Sequence, residues 1–582
     1  MRQWFCIALL LTATYGVYSV IHADELAAQE SSENILFGPE TEKRFPPLTL
    51  PDGFEATLFA CDPLVEYPSV IALGPHAGSL FAAHDYMTGL GLEIVRRDEV
   101  RLIEDSNADG YADRSTVFAG GFNSIQGLAF HDDNVFVMHA PSLTRLRDTD
   151  GDGVADERQD LIEGLGLPPE ENDNRLHCAN GVVAGYDGWL YLALGDRGCD
   201  VQRPEGDRLL FQQGGILRCR TDGSDLHVFS TGLRNIYDVA LDEELSVFVR
   251  DNENDGGDYM IRVCHCFFGS DHGYPYHYYE RPDEPMPPLA DLGRGASAGG
   301  VSYNETAFPP DYRDSLYFCE WGRGVVRYHK TRRSSSFKRM TESDFAYGAK
   351  DDPYGFKPTD LVIDYDGSML ISDWCDGQRP KRGRGRIYRI SCLETDGGRV
   401  ETATQASELD TASLIRQLDA DSLHQRTAAQ LELQKRGTTA VSEVVTALEN
   451  HQLAPRARMH ALWILALTAD GTVPHILLDL AESDSDARVQ SQAIRAIGDL
   501  TDPILKDNRL ESRAGDHRLA GRIAKIAEQA DPRVVLEAII VMRRLHWPAT
   551  PEWLVSHWSA QDPALDHAAQ QALRNCSHWP AV

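Results

Sequence analysis

Two hydrophobic periodicities divide the chain. In the first, apolar residues come in runs of strand length parted by turns rich in glycine and acid, as in SVIALGPHAGSLFAAHD, GLAFHDDNVFVMHA, GVVAGYDGWLYLALGD and DLVIDYDGSMLISDW. The apolar anchors of the second strands are Phe81, Phe136, Tyr191, Phe248, Tyr317 and Leu370, at intervals of 55, 55, 57, 69 and 53 residues. Each interval has room for four short strands and carries no helical period. Four strands repeated six times predict a six-bladed β-propeller over residues 46–393. After a polar linker at 394–410 the period turns helical: Ala429, Ala461 and Ala493 lie 32 residues apart, and Ala538 and Ala569 lie 31 apart. Segments such as DARVQSQAIRAIGDL and DPRVVLEAIIVMRRL start on Asp or Asp-Pro and continue with Ala and Leu or Ile at helical spacing. They predict an α-helical HEAT-like solenoid over 411–582, with an insertion around KDNRLESRAGDH. Solenoids of this kind bind or brace protein surfaces, so a protein partner is expected there and no chemistry.

Composition narrows the setting. The first 23 residues carry one early arginine, an apolar stretch and a small residue at Ala23, which reads as a signal peptide followed by a linker at 24–45; an uncleaved membrane anchor is the alternative. The expected location is therefore exported, periplasmic or at the cell surface. Ten of the eleven cysteines follow this leader, an even number in an exported chain, so disulfides are expected. No Cys-x-x-Cys-His occurs, which excludes covalently attached haem. Cys264-His265-Cys266 lacks a second ligand pair for zinc. A formal charge of −33 argues against nucleic acid or an anionic membrane as partner.

Part of that charge is concentrated in two loops. RDTDGDGVADERQ places Asp148, Asp150, Asp152 and Asp156 at relative positions 1, 3, 5 and 9, with Gly153 at position 6. DSNADGYAD repeats the arrangement with Asp105, Asn107, Asp109, Gly110 and Asp113. Carboxylates on alternate residues around a glycine turn form the front half of a calcium loop, although Gln159 stands where an EF-hand has its bidentate Glu. Each loop follows a third strand and precedes a fourth, so both belong on the lower rim, where structural Ca²⁺ is expected.

The opposite face collects other chemistry. Just before first strands come His177, Arg234-Asn235 and Lys357; just after second strands come Asp196, Asp251, Glu320-Trp321 and Asp373-Trp374. Loops from several blades surround the upper mouth of a propeller channel, which is where such folds carry their sites.

The segments HCANGVVAGYDGWLYLALGD, GLRNIYDVALD, NENDGGD and GGVSYNETAFPPDYRDSLYF resemble the soluble quinoprotein sugar dehydrogenases, six-bladed propellers that use pyrroloquinoline quinone (PQQ). The likeness is greatest to a branch labelled membrane-bound dehydrogenase in planctomycete-type bacteria, which joins such a propeller to HEAT-like repeats. It implies oxidation of a small sugar or alcohol, with His177 as the base and Arg234, Asn235 and Lys357 holding the cofactor's carboxylates and carbonyls; Asp251 joins this cofactor-binding set. Where the dehydrogenases carry two arginines two apart, this chain has Lys357 and Thr359. Two other readings stand beside it. One is a non-catalytic, calcium-stabilised propeller that binds carbohydrate or protein, with the solenoid as a docking arm; in this reading as in the first, Trp321, Trp374 and the aromatic run at 274–280 are placed to stack on sugar rings. The other is a metal-dependent lactonase or esterase, its central cation held by Asn180, Asn235, Asp251 and Asp373.

Overall fold

The computed structural model describes residues 38–86, 98–167, 177–254, 257–352, 355–374, 385–393, 405–468, 473–576 and 578–582. The expected leader at 1–23 and most of the linker at 394–410 lie outside the described residues.

Six four-stranded antiparallel sheets form the propeller. Five of the six second strands, Ser79–His84, Trp189–Leu194, Val247–Asp251, Ser315–Glu320 and Met369–Asp373, are buried along their whole length, and Asn134–His139 is buried at all but its two ends. Each packs against neighbouring blades on both sides, which is why its sequence is a continuous apolar run rather than an alternating one. The outer strands vary: Glu157–Glu163 of blade 2 is exposed at most of its positions, whereas His227–Leu233 of blade 3 has no exposed residue. Blade 6 draws its first three strands, Pro358–Ile363, Met369–Asp373 and Arg386–Cys392, from the end of the propeller sequence. Its fourth is the N-terminal strand Phe54–Cys61, which pairs with Arg386–Cys392 from Phe54↔Cys392 to Cys61↔Arg386 and closes the ring. The long interval of 69 residues in the sequence reflects blade 4, whose third strand, Ile261–Cys266, and fourth, Ala290–Gly293, are joined by a connection at 267–289.

The helical region stacks in two rows. The inner row comprises Leu423–Lys435, Pro455–Leu467, Ala487–Thr501, Pro532–Arg544 and Pro563–Asn575. The repeating alanines Ala429, Ala461, Ala493, Ala538 and Ala569 sit one in each of these helices and are wholly buried, letting neighbouring helices approach closely. Ser422, Asp486, Asp531 and Asp562 cap their N-termini, with proline at the first position after the last two.

The surface that the inner row braces is the chain's own propeller. We call lower the face that carries the A–B turns, between first and second strands. Turns of blades 2 to 6 on this face meet the helices. Lys435 pairs with Asp132 at 2.9 Å, Gln430 donates to the Tyr186 carbonyl at 2.7 Å, and Gln492 donates to the Glu244 carbonyl at 2.6 Å. His424 donates its backbone amide to Glu305 at 3.1 Å and packs its ring against Tyr365. A cavity of about 280 Å³, lined by the first strands of all six blades, runs down the channel and ends on Leu423, His424 and Thr427. The first inner helix thus closes the lower mouth.

One apolar core is continuous across this junction, joining Trp189, Tyr191 and Phe229 of blade 3 to Trp463, Ile497 and Val541 of the helices. At its centre Asp499 accepts hydrogen bonds from Arg218 at 2.9 Å, Arg544 at 2.7 Å and the Trp189 indole at 3.0 Å. Burial alone would push this carboxylate up, but Arg218 and Arg544 outweigh burial and hold it far below the usual range. The stability it contributes is fully present above about pH 4, the unfolded value, and is lost as the pH falls toward the depressed folded one. The expected disulfides are not found: no bond joins any two of the nine described cysteines, all buried in the blades and helices.

Replacing Asp499 with Ala leaves two buried guanidinium groups without their shared counter-charge. A loss of about 3–5 kcal/mol is expected. Calorimetry should show one melting transition in the unaltered protein and separate propeller and helical transitions in the variant.

Candidate functional site

A rule repeats on the upper face. The acid that ends a second strand accepts the backbone amide of the residue leading into the first strand of the same blade. Asp251 takes the amides of Arg234 at 2.9 Å and Asn235 at 3.1 Å, Glu320 takes that of Ala296 at 2.6 Å, and Asp373 takes that of Lys357 at 2.8 Å. All three acids are buried and further engaged: Asp251 by the Tyr259 hydroxyl, Glu320 by Arg250, Asp373 by Arg386.

Blade 3 departs from this rule. Its second strand ends at Leu194, and Asp196 lies two residues beyond. The amide contacts at this position are made by backbone instead, Gly195 to the Cys178 carbonyl at 2.8 Å and Arg197 to the His177 carbonyl at 3.0 Å. The Asp196 carboxylate is released to meet a side chain, and it stands 2.7 Å from His177 Nδ1. Both groups remain about one-fifth to one-quarter exposed. His177 has φ of +63°, a conformation that a residue with a Cβ adopts at some energetic cost.

Two further groups complete the cluster. The Tyr274 hydroxyl donates to the second Asp196 oxygen at 3.3 Å. Arg234, buried, lies beside both Tyr274 and Asp196. Burial works against the charge of Asp196, but the hydrogen bond and charge of His177, the Arg234 guanidinium and the Tyr274 hydroxyl together hold it below the usual carboxylate range. The carboxylate is therefore charged at neutral pH and fixes the His177 proton on Nδ1, leaving Nε2 to accept one from a ligand.

The sequence-predicted residues take distinct places. His177, Arg234 and Asn235 come together, Asn235 forming a bridge with Gly195 and accepting from Asn180 at 2.9 Å. Lys357, two blades on, lays its ammonium 4.3 Å from the centre of the exposed Trp321 ring, with Trp374 beside it. Thr359 is buried and donates to the Pro68 carbonyl at 3.0 Å. Asp251 is wholly buried; it orients Arg234 and Asn235 from beneath rather than facing the mouth. Because Asp251 and Asp373 are both engaged and Asn180 and Asn235 bond to each other, the four residues do not form a free ligand set for a central cation. Tyr274 belongs to the expected aromatic run, but its role at Asp196 was not legible there.

Both acidic loops connect third to fourth strands, in blades 1 and 2. Among the described residues, Asp148, Asp150 and Asp156 bring three carboxylates within 4.8 Å of one another. Asp152 caps the Val154 amide at 2.8 Å. In the first loop Asp105 accepts the amides of Asp109 and Gly110, Asn107 that of Asp109, and Asp113 that of Ser106. Cys264 and Cys266 share one face of their strand, Cys266 Sγ lying 3.4 Å from His272, while His265 points the other way to Ser336, so the three do not converge.

A family model described as a domain of unknown function, DUF7133, matches residues 40–378. The chain belongs to that family. No curated protein matches it. Solved structures similar to it include an oxidoreductase (glucose dehydrogenase) from Thermus thermophilus, at 19% identity over 58% of this chain and 100% of that one, with a TM-score of 0.43. A PQQ-bound aldose sugar dehydrogenase from Streptomyces coelicolor matches at 15% identity over 59% and 99%, with a TM-score of 0.42. The PQQ domain of a pyranose dehydrogenase from Coprinopsis cinerea matches at 15% over 60% and 97%, also with a TM-score of 0.42. At such identities the likeness is one of fold alone.

Gly195 is held between the backbone of His177 and the side chain of Asn235, where an added Cβ would lie 2.5 and 2.6 Å from them. Gly195→Ala should therefore cost about 1–3 kcal/mol. Thermal melting should register this loss, whereas Gly206→Ala, whose Cβ would meet nothing within 4 Å, should show only the smaller cost of its positive φ.

Proposed function

We propose that this protein is an exported, quinoprotein-like dehydrogenase that oxidises a small sugar or alcohol at the upper mouth of the propeller. The observation that carries the reading is the Asp196 carboxylate 2.7 Å from His177 Nδ1, beside Arg234 and with both groups partly exposed. An imidazole so oriented takes a hydroxyl proton on Nε2 while the carboxylate stabilises the imidazolium that forms.

PQQ is a flat polycarboxylate, and its chemistry asks for cations and planar walls. Arg234 and Lys357 supply the cations and Trp321 an exposed ring; Asn235 is a further polar contact, and Asp251 supports the loop beneath. When bound, the quinone would accept the hydride from the substrate carbon. Arg234 also lowers the cost of keeping Asp196 ionised, so one side chain serves both cofactor charge and base orientation. Structural Ca²⁺ in the acidic loops belongs to the same reading, with Asp148, Asp150 and Asp156 as the more convergent set.

Arg234→Ala should weaken PQQ uptake more than tenfold, as expected for loss of a charged hydrogen bond worth about 2 kcal/mol or more. His177→Gln should leave uptake nearly intact and lower turnover by roughly 10²–10⁴. Both are read by cofactor titration followed by dye-linked oxidation of a panel of sugars and alcohols. No uptake by the folded wild-type protein with calcium present would instead favour a propeller that only binds carbohydrate or protein.

Chelation should lower the melting temperature, and the combination Asp150→Ala with Asp109→Ala should remove that sensitivity. Melting unaffected by chelator would count against calcium in either loop.

A further inference from the structure

Tyr274 does not come from the loops that normally supply an upper mouth. It lies in the 267–289 connection, which leaves the third strand of blade 4 on the lower side and climbs the flank of blade 3. On the way, His272 donates its amide to the Thr231 carbonyl at 2.9 Å and Tyr274 donates its own to the Gly232 carbonyl at 2.8 Å. Arg262 holds the His272 carbonyl at 2.8 Å, and the Tyr274 ring packs on Tyr259 with centroids 4.7 Å apart. The hydroxyl then reaches Asp196.

The lower end of this connection is held by the helices. Arg543 donates to the Gly269 carbonyl at 3.2 Å, and Gly269 leaves no room for a Cβ beside that guanidinium. His567, on the last inner helix and 2% exposed, bonds both limbs of the connection at once. Its Nε2 accepts the Asp271 amide at 3.0 Å and its Nδ1 donates to the Glu284 carbonyl at 3.0 Å. This bonding pattern requires a neutral ring with one defined tautomer, and burial holds His567 down at about 4, which keeps it neutral. Arg574 adds an ion pair to Glu284. Asp271, the residue stapled by His567, precedes Tyr274 by three positions.

We propose that His567 is a positioning residue for the His177–Asp196 pair, acting from the helical array through the 267–289 connection and the Tyr274 hydroxyl. This rests on the reading of that pair as the reactive one, but the coupling is a property of the protein without cofactor or substrate. It gives the helices a second task besides closing the channel: they set the position of a group that touches the base's partner. A polar contact of this kind tolerates little displacement, since the Tyr274 bond to Asp196 is already 3.3 Å long.

The test uses the full chain, labelled with ¹⁵N-imidazole histidine, with nothing added. The downfield Nδ1–H resonance of His177 is assigned by its absence in His177→Gln. Tyr274→Phe should shift or remove this resonance, His567→Ala should do the same, and the double variant should go no further than either alone. His567→Gln, which keeps one donor and one acceptor, should restore at least part of the wild-type signal. Lys435→Ala, which breaks a helix–propeller contact remote from the connection, should leave it in place. A folded His567→Ala protein with an unmoved resonance would overturn the proposal, as would additive effects of the two single variants. Should His567→Ala fail to fold, Arg574→Ala loosens the same limb from a more exposed position; a shift supports the coupling and an unmoved signal rejects it. Since no quinone or substrate is present, failure here is separate from failure to bind PQQ.

Discussion

A ring of blades must close, and here one strand closes it. Phe54–Cys61 is separated by more than three hundred residues from the strand that it pairs with, Arg386–Cys392, yet the two pair from end to end with a single register shift between Leu58 and Ala60. Without that pairing blade 6 lacks its outer strand and loses the strand that ties it to the start of blade 1. The consequence reaches the channel. Asp360 of blade 6 accepts the amide of Ile71 in blade 1 at 2.9 Å, a bond that exists only when the ring is shut. The upper mouth, assembled from loops of several blades, has a defined shape for the same reason.

Within the closed ring, a small departure from repetition shapes the candidate site. In blades 4, 5 and 6 the acid at the end of the second strand is consumed by backbone amides, a structural use that recurs with little variation. In blade 3 backbone groups replace it, and the carboxylate becomes available to His177. The positive φ of His177 and the close fit of Gly195 are the local costs of that exchange. What sets Asp196 apart from its more deeply buried counterparts is that its carboxylate stays partly exposed and faces a side chain.

The architecture was legible in the sequence because it is periodic. The six second-strand anchors all fall on second strands, and the five spaced alanines all fall on buried positions of inner helices. His177, Arg234 and Lys357 could be placed on the upper face from topology alone. What could not be read was which polar group each acid would meet. Asp196, Asp251, Glu320 and Asp373 look alike in sequence, and a shift of two residues past a strand end separates the one facing His177 from those facing amides. The expectation of disulfides is not met among the described cysteines for a related reason. An even count says nothing of geometry: even where several described cysteines share a core they form no bond, and burial makes them small apolar residues. The 69-residue interval was a visible signal of an insertion in blade 4, but its destination depends on contacts with helices more than two hundred residues away.

Those contacts alter what the helical array is for. A solenoid with a free inner row would offer that row to another protein, but this inner row is covered by blades 2 to 6 and shares a core with blade 3. Any further partner must use the outer row or the ends. Burying Asp499 between two arginines makes the junction specific as well as adhesive, since a slipped helix would strand charges in an apolar core. A junction so constrained transmits position. The helices that abut the lower face also hold the 267–289 connection through Arg543 and His567, so the propeller's base and the segment that carries Tyr274 to the upper cluster rest on the same helical array.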